Sequence, residues 1–370
     1  MPRAEPQGTA PPDGAPQVLA LNPGSTSTKL GLFAGERALF TESVAHADEA
    51  LAVYRGRAIL EQQALRASAV RQALAERGVA ATALAAVVGR GGLLRPLASG
   101  TYRVDETMLA DLRAARRGEH ASNLGAFLAA QLAEPAGCPA FIVDPVSVDE
   151  LEPVARVSGL AGIERESLSH ALNTKAVAKR YAREQRRRYD ELRLVVAHLG
   201  SGISVSAHRD GRMVDVNNSR EEGPFSTERS GSVPLLQLVR RVLDAGGSFA
   251  EAERLVFREG GLYSYLGTRE LREVLARVEA GDEPAWLVLQ AMLYQVRKEV
   301  GAMAAVLAGR VDAVLLTGGM AHAGAVAAPL AEALAWIAPV HVYPGEDELQ
   351  ALAEGALRVL RGEEAAREYG

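Results

Sequence analysis

The chain has 370 residues, of which 48% are hydrophobic and 24% charged, a composition that excludes a disordered chain and suits two globular domains. Its net charge of -5 argues against broad electrostatic capture of nucleic acid, and no apolar run reaches the roughly 18 residues that would span a membrane. A single cysteine, Cys138, excludes an internal disulfide and favours a reducing compartment, so we expect a cytoplasmic protein.

The first predicted structure begins at Gln17. Residues 1–16 carry five prolines and no apolar segment, and they are predicted to be a flexible tail. The apolar run VLALN that follows stops at a Pro-Gly pair, as a buried strand entering a turn does. Two further strands with a hairpin turn at Gly35 come next, and then a helix is predicted from about Ala50 to Arg77.

A second copy of this pattern lies in the C-terminal half. Residues 18–37 and 194–213 align without a gap, and both run from an apolar strand through a glycine-serine turn into a second strand and a glycine hairpin. The alternative to an internal duplication is two unrelated hairpins. A duplicated unit of three strands and helices predicts an α/β fold of two domains with a cleft between them, in which each turn offers N–H groups and hydroxyls to a phosphate.

A third glycine turn ends the strand that is predicted from Asp312 onwards. The sequence DAVLLTGGM carries an apolar strand into Thr317, Gly318 and Gly319. Glycine lets the flat base or ribose of a nucleotide lie against the backbone. Because this segment follows two phosphate-type turns, it predicts a nucleotide-binding domain.

Four segments together resemble the motifs of the acetate kinase family. They are NPGSTSTK (22–29), HLGSGIS (198–204), EGPFSTERSG (222–231) and LLTGG (315–319). The segments SHALNTKAVAKR and YPGEDELQALAEG, and the Ser-Val-Pro that follows RSG, are similar to the butyrate kinase branch of that family. The resemblance implies a duplicated ribonuclease H-like βββαβαβα fold with an interdomain cleft, as in acetate and sugar kinases, chaperone ATPases and actin.

The resemblance further implies a phosphotransferase that converts butyrate, or a related short or branched fatty acid, and ATP into an acyl phosphate and ADP. A carboxylate is already anionic near neutral pH, so this acceptor needs no general base. The site must instead hold two repelling anions together and neutralise the transferring group with arginines, Mg²⁺ and neutral donors. Acetate, propionate and isobutyrate stay open as substrates. A sugar kinase and a non-catalytic ATP-binding protein of the same fold are more distant alternatives.

Two residues of the C-terminal half are candidate catalytic groups. By resemblance, Arg229 matches an arginine that stabilises the charge of the transition state, and His170 matches a histidine that stabilises the transferring phosphoryl group. The planar fork of an arginine suits a carboxylate or a phosphoryl group. The alternatives are a surface salt bridge between Arg229 and Glu228 and a structural role for His170.

Two candidates lie in the N-terminal half. Arg90, in GRGG, is the candidate to bind the substrate carboxylate, with Arg95 as the alternative. Here the sequence departs from the acetate kinase pattern, where an arginine precedes the strand end and a histidine precedes the two glycines; Ala86 cannot play the part of that arginine. Asp144, at the end of the strand FIVDP, matches a carboxylate near the metal, or else it initiates a turn before Pro145.

The nucleotide is expected to contact the three glycine turns and the residues around them. Ser27 and Lys29 are alternatively ordinary exposed positions of a hairpin. The candidate nucleotide-binding residues are Asn22, Gly24, Ser25, Ser27, Lys29, His198, Gly200, Ser201, Gly202, Thr317, Gly318 and Gly319.

A magnesium ion keeps several waters and takes few protein ligands. Besides Asp144, the acidic segment Glu346-Asp347-Glu348 offers one carboxylate for it, and we favour Glu346, although the register against the NEEL segment of acetate kinases is ambiguous. The remaining acidic residues of this segment then begin the last helix, where the helix macrodipole favours negative charge.

The repeat also predicts the domain boundaries. An N-terminal domain is expected at residues 17–168, completed by a C-terminal helix at residues 347–362, and a nucleotide-binding domain at residues 169–346. By the same resemblance we expect a homo-oligomer, and the charge and hydropathy of the sequence predict that it binds neither nucleic acid nor membranes.

Overall fold

The structure is a computed structural model that describes residues 14–370. Residues 1–13, which make up most of the predicted tail, lie outside the described residues. None of the helices in the described part of the chain combines the length and the hydropathy that crossing a membrane would require.

The described residues form two compact units. The first unit contains the described residues up to Arg95, together with residues 100–145 and 347–370. The second unit contains residues 96–99 and 146–346. Residues 146–168, which we assigned to the first domain from the sequence, therefore lie in the second unit.

Strands and helices alternate along both units. The strands are β1 (Gln17–Pro23), β2 (Ser27–Ala34), β3 (Arg37–Ala45), β4 (Leu84–Arg90), β5 (Thr101–Arg103), β6 (Ala140–Val143), β7 (Leu194–Leu199), β8 (Ile203–Arg209), β9 (Arg212–Val216), β10 (Ala313–Gly318) and β11 (Val340–Pro344). The α-helices are α1 (Asp48–Ala52), α2 (Gln63–Glu76), α3 (Glu106–Ala114), α4 (Leu124–Ala133), α5 (Pro153–Arg156), α6 (Ala171–Glu184), α7 (Leu235–Asp244), α8 (Phe249–Phe257), α9 (Gly261–Leu266), α10 (Leu271–Glu279), α11 (Glu283–Val306), α12 (Gly324–Leu334) and α13 (Glu348–Leu360). Short 3-10 helices lie at Ile59–Gln62, Ala81–Ala83, Ala121–Asn123, Glu134–Ala136, Tyr189–Glu191 and Gly319–His322.

Each unit is built on one mixed sheet, and the five strands of the second sheet have the same order as five of the six strands of the first. The first sheet runs β3-β2-β1-β4-β6-β5 and the second runs β9-β8-β7-β10-β11. In the first sheet β1, β4 and β6 are parallel, and in the second β7, β10 and β11 are parallel. The two sheets thus confirm the predicted duplication and the α/β class.

Helices cover both faces of each sheet, which explains the near-continuous apolar runs of the central strands. In the first unit α2 and α4 pack on one face, and α13 packs against β1 and β4. In the second unit α11 and α12 share a core with one face of the sheet, and α6 packs on the other. The core of each unit therefore lies between its own sheet and helices.

The two hairpins of the repeat have the same turn conformation. Gly35, between β2 and β3, has a φ of 56°, and Gly211, between β8 and β9, has a φ of 71°. Glycine adopts this left-handed conformation without the steric cost that a Cβ brings. The glycine spacing that revealed the repeat in the sequence thus reflects a backbone requirement.

The prediction of one helix from Ala50 to Arg77 is wrong. The segment forms the short helix α1, a turn region, a 3-10 helix at Ile59–Gln62 and then α2. Gly56, with a φ of 74°, lies in the turn region, where a left-handed residue interrupts the helical path.

A buried polar network lies in the second unit and joins α6 to the β8–β9 hairpin. Lys175, which is fully buried, pairs with Glu150 at 2.6 Å between Nζ and Oε2 and donates to the carbonyl of Gly211. His208 is also fully buried; its two ring nitrogens bond Tyr189 Oη at 2.6 Å and Ser206 Oγ at 2.7 Å. Burial and then the nearby charge of Lys175 hold the pKa of His208 well below its ordinary value.

This network makes the stability of the protein sensitive to acid. As pH falls through about 6.5, His208 takes up a proton in the unfolded state but stays neutral in the folded state. The unfolded state then binds more protons, so the free energy of unfolding should decrease by about 2 kcal/mol between pH 7 and pH 5 through this group.

Urea unfolding of the wild type and of His208→Gln at the two pH values measures this contribution. We expect His208→Gln to be less stable at pH 7 but to lose less stability on acidification. His322→Gln, which changes an exposed histidine, serves as the control and should keep the wild-type dependence. Equal pH dependence in His208→Gln and the wild type would contradict the assignment.

Candidate active site

The carboxyl ends of the parallel strands gather the candidate residues of the first unit. Leu21 of β1 pairs with Gly89 of β4, and Arg90 pairs with Val143 of β6. Asn22, Arg90 and Asp144 therefore lie along one edge of the first sheet, which is where open α/β sheets bind ligands.

Asn22 and Arg90 contact each other and a third residue, Glu348. Arg90 Nη1 lies 2.8 Å from Glu348 Oε1 and 3.5 Å from Asn22 Oδ1. The side-chain amide of Asn22 donates to the other carboxylate oxygen of Glu348. Glu348 reaches this position because it is the first residue of α13, where the macrodipole favours a carboxylate.

The two arginines that the sequence left as alternatives have different surroundings. Arg90 lies at the sheet edge beside Asn22. Arg95 Nε instead lies 2.6 Å from Asp111 Oδ2, and its guanidinium stacks on the ring of Tyr369 at 4.8 Å from the centroid. In the described residues Arg95 therefore makes no hydrogen bond or ion pair with Asn22 or Glu348.

Asp144 is buried at the end of β6 in a left-handed conformation, with a φ of 39°. Its Oδ1 accepts a hydrogen bond from the backbone N–H of Gly100 at 2.8 Å, and its own N–H donates to the carbonyl of Gly100. A non-glycine residue with positive φ carries backbone strain, which is common at functional sites.

The first glycine-serine turn joins β1 to β2. Ser25 and Thr26 are exposed, Ser27 is half-buried, and Lys29 is exposed directly across from Asn22 in the strand register. Arg66 of α2, which sequence reasoning missed, donates to the carbonyls of Ser25 and Ser27, each at 2.9 Å.

The second unit gathers its candidates in the same way. Thr317 of β10 lies beside His198 of β7 in the register, and Gly318 pairs with Pro344 of β11. A Cβ on Gly318 would lie 2.4 Å from the carbonyl oxygen of Leu199, so only glycine fits there, whereas Gly319 borders open space. Thr317 Oγ1 donates to the carbonyl of Gly345.

Asn173 determines which nitrogen of His198 carries a proton. The side-chain amide of Asn173 donates to the carbonyl of Glu346 at 3.1 Å, so its Oδ1 faces His198 Nδ1 at 2.8 Å. An amide oxygen only accepts, and Nδ1 of His198 must therefore be the donor. His198 Nε2 lies 3.5 Å from Glu346 Oε1, and donation from Nε2 to an anion requires the imidazolium form.

His170 lies against His198 at the start of α6. The two rings stack with centroids 3.9 Å apart and planes 10° from parallel. His170 Nδ1 hydrogen-bonds Ser204 Oγ at 2.8 Å, on the strand that follows the second turn. The structure thus brings both predicted histidines together at one sheet edge.

Arg229 packs directly on the second glycine turn. A Cβ on Gly202 would lie 2.2 Å from Arg229 Nη1, so the guanidinium occupies the space that any other residue would fill. Nη1 donates to the carbonyl of Ser219 at 2.8 Å, and the guanidinium stacks on Phe257. Its Nε is buried and has no hydrogen-bond partner among the described residues. Burial lowers the pKa of Arg229 to about 10, so the side chain remains charged at neutral pH.

The neighbouring Glu228 pairs with another arginine. Glu228 Oε2 lies 3.1 Å from Arg269 Nε. In the described residues Arg229 makes no ion pair, so the predicted alternative of a surface salt bridge between Arg229 and Glu228 is not formed. The turn itself is held by Ser226, whose hydroxyl donates to the carbonyl of Ser201.

Magnesium prefers oxygen donors, and each of the two edges by itself offers at least one carboxylate. In residues 14–370 no three or more His, Cys, Asp or Glu side chains come together as a cation site. An ion that binds mainly phosphates and water needs only one or two carboxylates. Asp144 and Glu348 at the first edge and Glu346 at the second are the carboxylates that could supply them.

Sequence reasoning missed Arg66 and Asn173 and gave less weight to Glu348 than to Glu346. One signal for Arg66 was available, because it belongs to the buried stripe of α2 with Ala67, Val70 and Leu74. An arginine in an apolar stripe indicates a buried polar contact. No local pattern distinguished Asn173 from other helical polar residues.

The tautomer of His198 can be tested by substitution. In ¹⁵N–¹H spectra of the wild-type imidazoles we expect a protonated Nδ1 on His198. Asn173→Asp keeps an acceptor and should keep this tautomer, whereas Asn173→Leu removes the acceptor and should give a mixture. His208, in its own buried network, is the internal reference. Protonation at Nε2 rather than Nδ1 in the neutral wild-type ring would contradict the structure.

The chain is similar to known proteins both in sequence and in fold. The family model described as the acetokinase family matches residues 161–338. Three solved structures have similar folds. They are Porphyromonas gingivalis acetate kinase (19% identity, 92% of this chain and 99% of that chain, TM-score 0.76), a propionate kinase from Francisella tularensis subsp. tularensis SCHU S4 (17%, 92% and 98%, 0.74) and acetate kinase from Entamoeba histolytica (15%, 92% and 98%, 0.73). Residues 161–338 therefore have acetokinase-family sequence, and most of the chain has the fold of these three kinases.

Proposed function

We propose that the chain is an ATP-dependent kinase that phosphorylates the carboxylate of a short-chain fatty acid, with butyrate as the preferred acceptor. The observation that carries the proposal is the position of Arg229 on Gly202, within a segment of acetokinase-family sequence. That segment also carries His170, His198 and Thr317. A carboxylate oxygen would attack the γ-phosphorus of ATP, the bond from that phosphorus to the β–γ bridging oxygen would break, and ADP would leave.

The electrostatics of the second unit suit this transfer. The γ-phosphoryl group carries charge on three equatorial oxygens, and catalysis consists mainly of positioning and charge neutralisation. Arg229 is a half-buried cation without an anionic partner in the described residues, so its charge is available to a phosphoryl group. Magnesium, when bound, would neutralise phosphate charge further.

Arg90 is the residue that we propose for binding the acid. It is a partly exposed guanidinium at the edge of the first sheet, and its partner Glu348 could be exchanged for a substrate carboxylate of the same shape. Arg95 is the weaker candidate because it pairs with Asp111 and Tyr369 and not with the strand-end residue Asn22. Asn22 would then orient either carboxylate through its amide.

The preference for butyrate rests on the resemblance of several segments to butyrate kinases. The solved structures with the same fold include acetate and propionate kinases, so these acids and isobutyrate are the alternatives. A methylene group in an apolar pocket is worth only about 1–3 kcal/mol of discrimination, so we expect activity on several acids. Mg²⁺ dependence, a cytoplasmic location and a homo-oligomer also remain predictions from the resemblance.

A sugar or polyol kinase is the second candidate. The observation in its favour is Asp144, a buried carboxylate at the end of β6 that could serve as the base that a hydroxyl acceptor requires. The acetokinase-family sequence of residues 161–338 favours the carboxylate acceptor.

The acceptor can be identified with a panel of substrates. Acids of two to five carbons and isobutyrate, each with ATP and Mg²⁺, would be assayed by trapping the acyl phosphate with hydroxylamine. We expect the highest kcat/KM with butyrate and no ADP release with glucose. The highest value with acetate would contradict the butyrate preference, and turnover of glucose without any acid would contradict a carboxylate kinase.

The role of Arg229 can be separated from nucleotide binding. Arg229→Ala should lower kcat about 1,000-fold, because the transferring group loses its cation, and should largely keep nucleotide affinity. Gly202→Ala should lower kcat roughly 100-fold, because the new Cβ displaces the guanidinium.

The matched control is Gly301→Ala in α11, where a Cβ meets nothing within 4 Å and where we expect wild-type kcat. Nucleotide affinity would be measured by calorimetry for all three variants. Full turnover in Arg229→Ala would refute the proposed role, and full turnover in Gly202→Ala would show that the guanidinium does not act from its observed position.

A further inference from the structure

A buried arginine lies directly behind the first glycine-serine turn. Arg66 of α2 has no exposed surface. Its Nη1 donates to the carbonyl of Ser27 at 2.9 Å and to Thr28 Oγ1 at 3.2 Å, and its Nη2 donates to the carbonyl of Ser25 at 2.9 Å. Nε and Nη2 also bond Gln62 Oε1, so the guanidinium is fully engaged.

These contacts orient the turn. The carbonyls of Ser25 and Ser27 point inward to Arg66, and the carbonyl of Thr26 accepts from the N–H of His46. The N–H groups of Ser25 and Thr26 donate to no other residue in the described part of the chain, and both residues are exposed. A turn with inward carbonyls and outward N–H groups is an anion-binding geometry.

The surroundings of Arg66 leave its charge uncompensated. The four groups that accept its hydrogen bonds are neutral, and within residues 14–370 it forms no ion pair. Burial lowers the pKa of Arg66, which reflects the cost of holding this charge away from water. The pKa of the neighbouring His46 is also lowered, first by burial of its imidazole and second by the charge of Arg66. The two side chains therefore do not compensate each other's charge.

In the second copy of the repeat, a neutral hydroxyl holds the corresponding carbonyl. Ser201 is the counterpart of Ser25 in the repeat, and its carbonyl accepts from the hydroxyl of Ser226. A neutral hydroxyl therefore suffices to hold the carbonyl of such a turn.

We propose that Arg66 gives the first turn its affinity for phosphate, by holding the carbonyls of Ser25 and Ser27 inward and by placing a positive charge behind the outward N–H groups. Arg66 does not reach solvent, so it acts through the turn as a positioning residue. The inference rests on the proposed function, which supplies the phosphate as part of ATP.

Three variants separate charge from geometry. Arg66→Gln keeps a hydrogen-bonding head group and removes the charge, whereas Arg66→Lys keeps the charge and removes the planar fork. Arg71→Gln changes an exposed arginine on the same helix and is the matched control. Each protein would be titrated calorimetrically with an ATP analogue that has a β–γ imido bridge, and with adenosine, which carries no phosphate.

We expect Arg66→Gln to bind the analogue roughly 10- to 100-fold more weakly than the wild type, with Arg66→Lys in between. Adenosine affinity should be unchanged in every variant, and Arg71→Gln should match the wild type. A wild-type affinity of Arg66→Gln for the analogue would overturn the inference. An equal loss of affinity for the analogue and for adenosine would overturn it too, because that result indicates only a structural role.

A measurement on the wild-type protein covers the case in which the variants do not fold. Inorganic tripolyphosphate should slow hydrogen exchange at the amides of Ser25 and Thr26, and unchanged exchange there would refute the anion site. The hydroxylamine assay separates a failure of the proposed kinase activity from a failure of the proposed role of Arg66. Failure of all acids refutes the kinase proposal, while tripolyphosphate still tests the anion site. Normal turnover with unchanged analogue binding in Arg66→Gln refutes only the role of Arg66.

Discussion

A backbone turn can bind an anion only if its carbonyl oxygens point away from that anion, and both halves of this chain meet this constraint at the same place. In the first half the guanidinium of Arg66 draws two carbonyls inward. In the second half the hydroxyl of Ser226 holds the carbonyl of Ser201, and Arg229 then packs on the glycine that follows. The duplication preserved the backbone and allowed different side chains to support it.

The parallel strands explain why residues far apart in the chain share an edge. In a sheet of the order seen here, the carboxyl ends of the central strands lie side by side, so each strand can contribute one residue to the site. Asn22 and Arg90 meet in the first unit in this way, and His198 and Thr317 meet in the second. Two helix N-termini add a residue each, Glu348 at the start of α13 and His170 directly before α6.

The features that could be predicted from the sequence are those that depend on local patterns. Apolar runs that end in glycine predict buried strands with turns. Gly35 and Gly211 occupy the same position in the two copies of the repeat, which predicts two equivalent hairpins. The missed contacts join residues that the sequence keeps apart, since Arg66 lies 41 positions from Ser25 and Glu348 lies 326 positions from Asn22. The predicted helix across Gly56 was wrong because helical periodicity on both sides concealed a left-handed turn.

Buried charges in this protein fall into two kinds. Lys175 pairs with Glu150 at 2.6 Å, and the pair joins a helix to a hairpin, so each charge offsets the cost of burying the other. Arg66 and Arg229 instead have neutral hydrogen-bond partners, and burial lowers the pKa of both. Both arginines lie at glycine-serine turns, so the phosphate that we propose as ligand is an anion that would compensate their charge, and its binding would stabilise the folded protein.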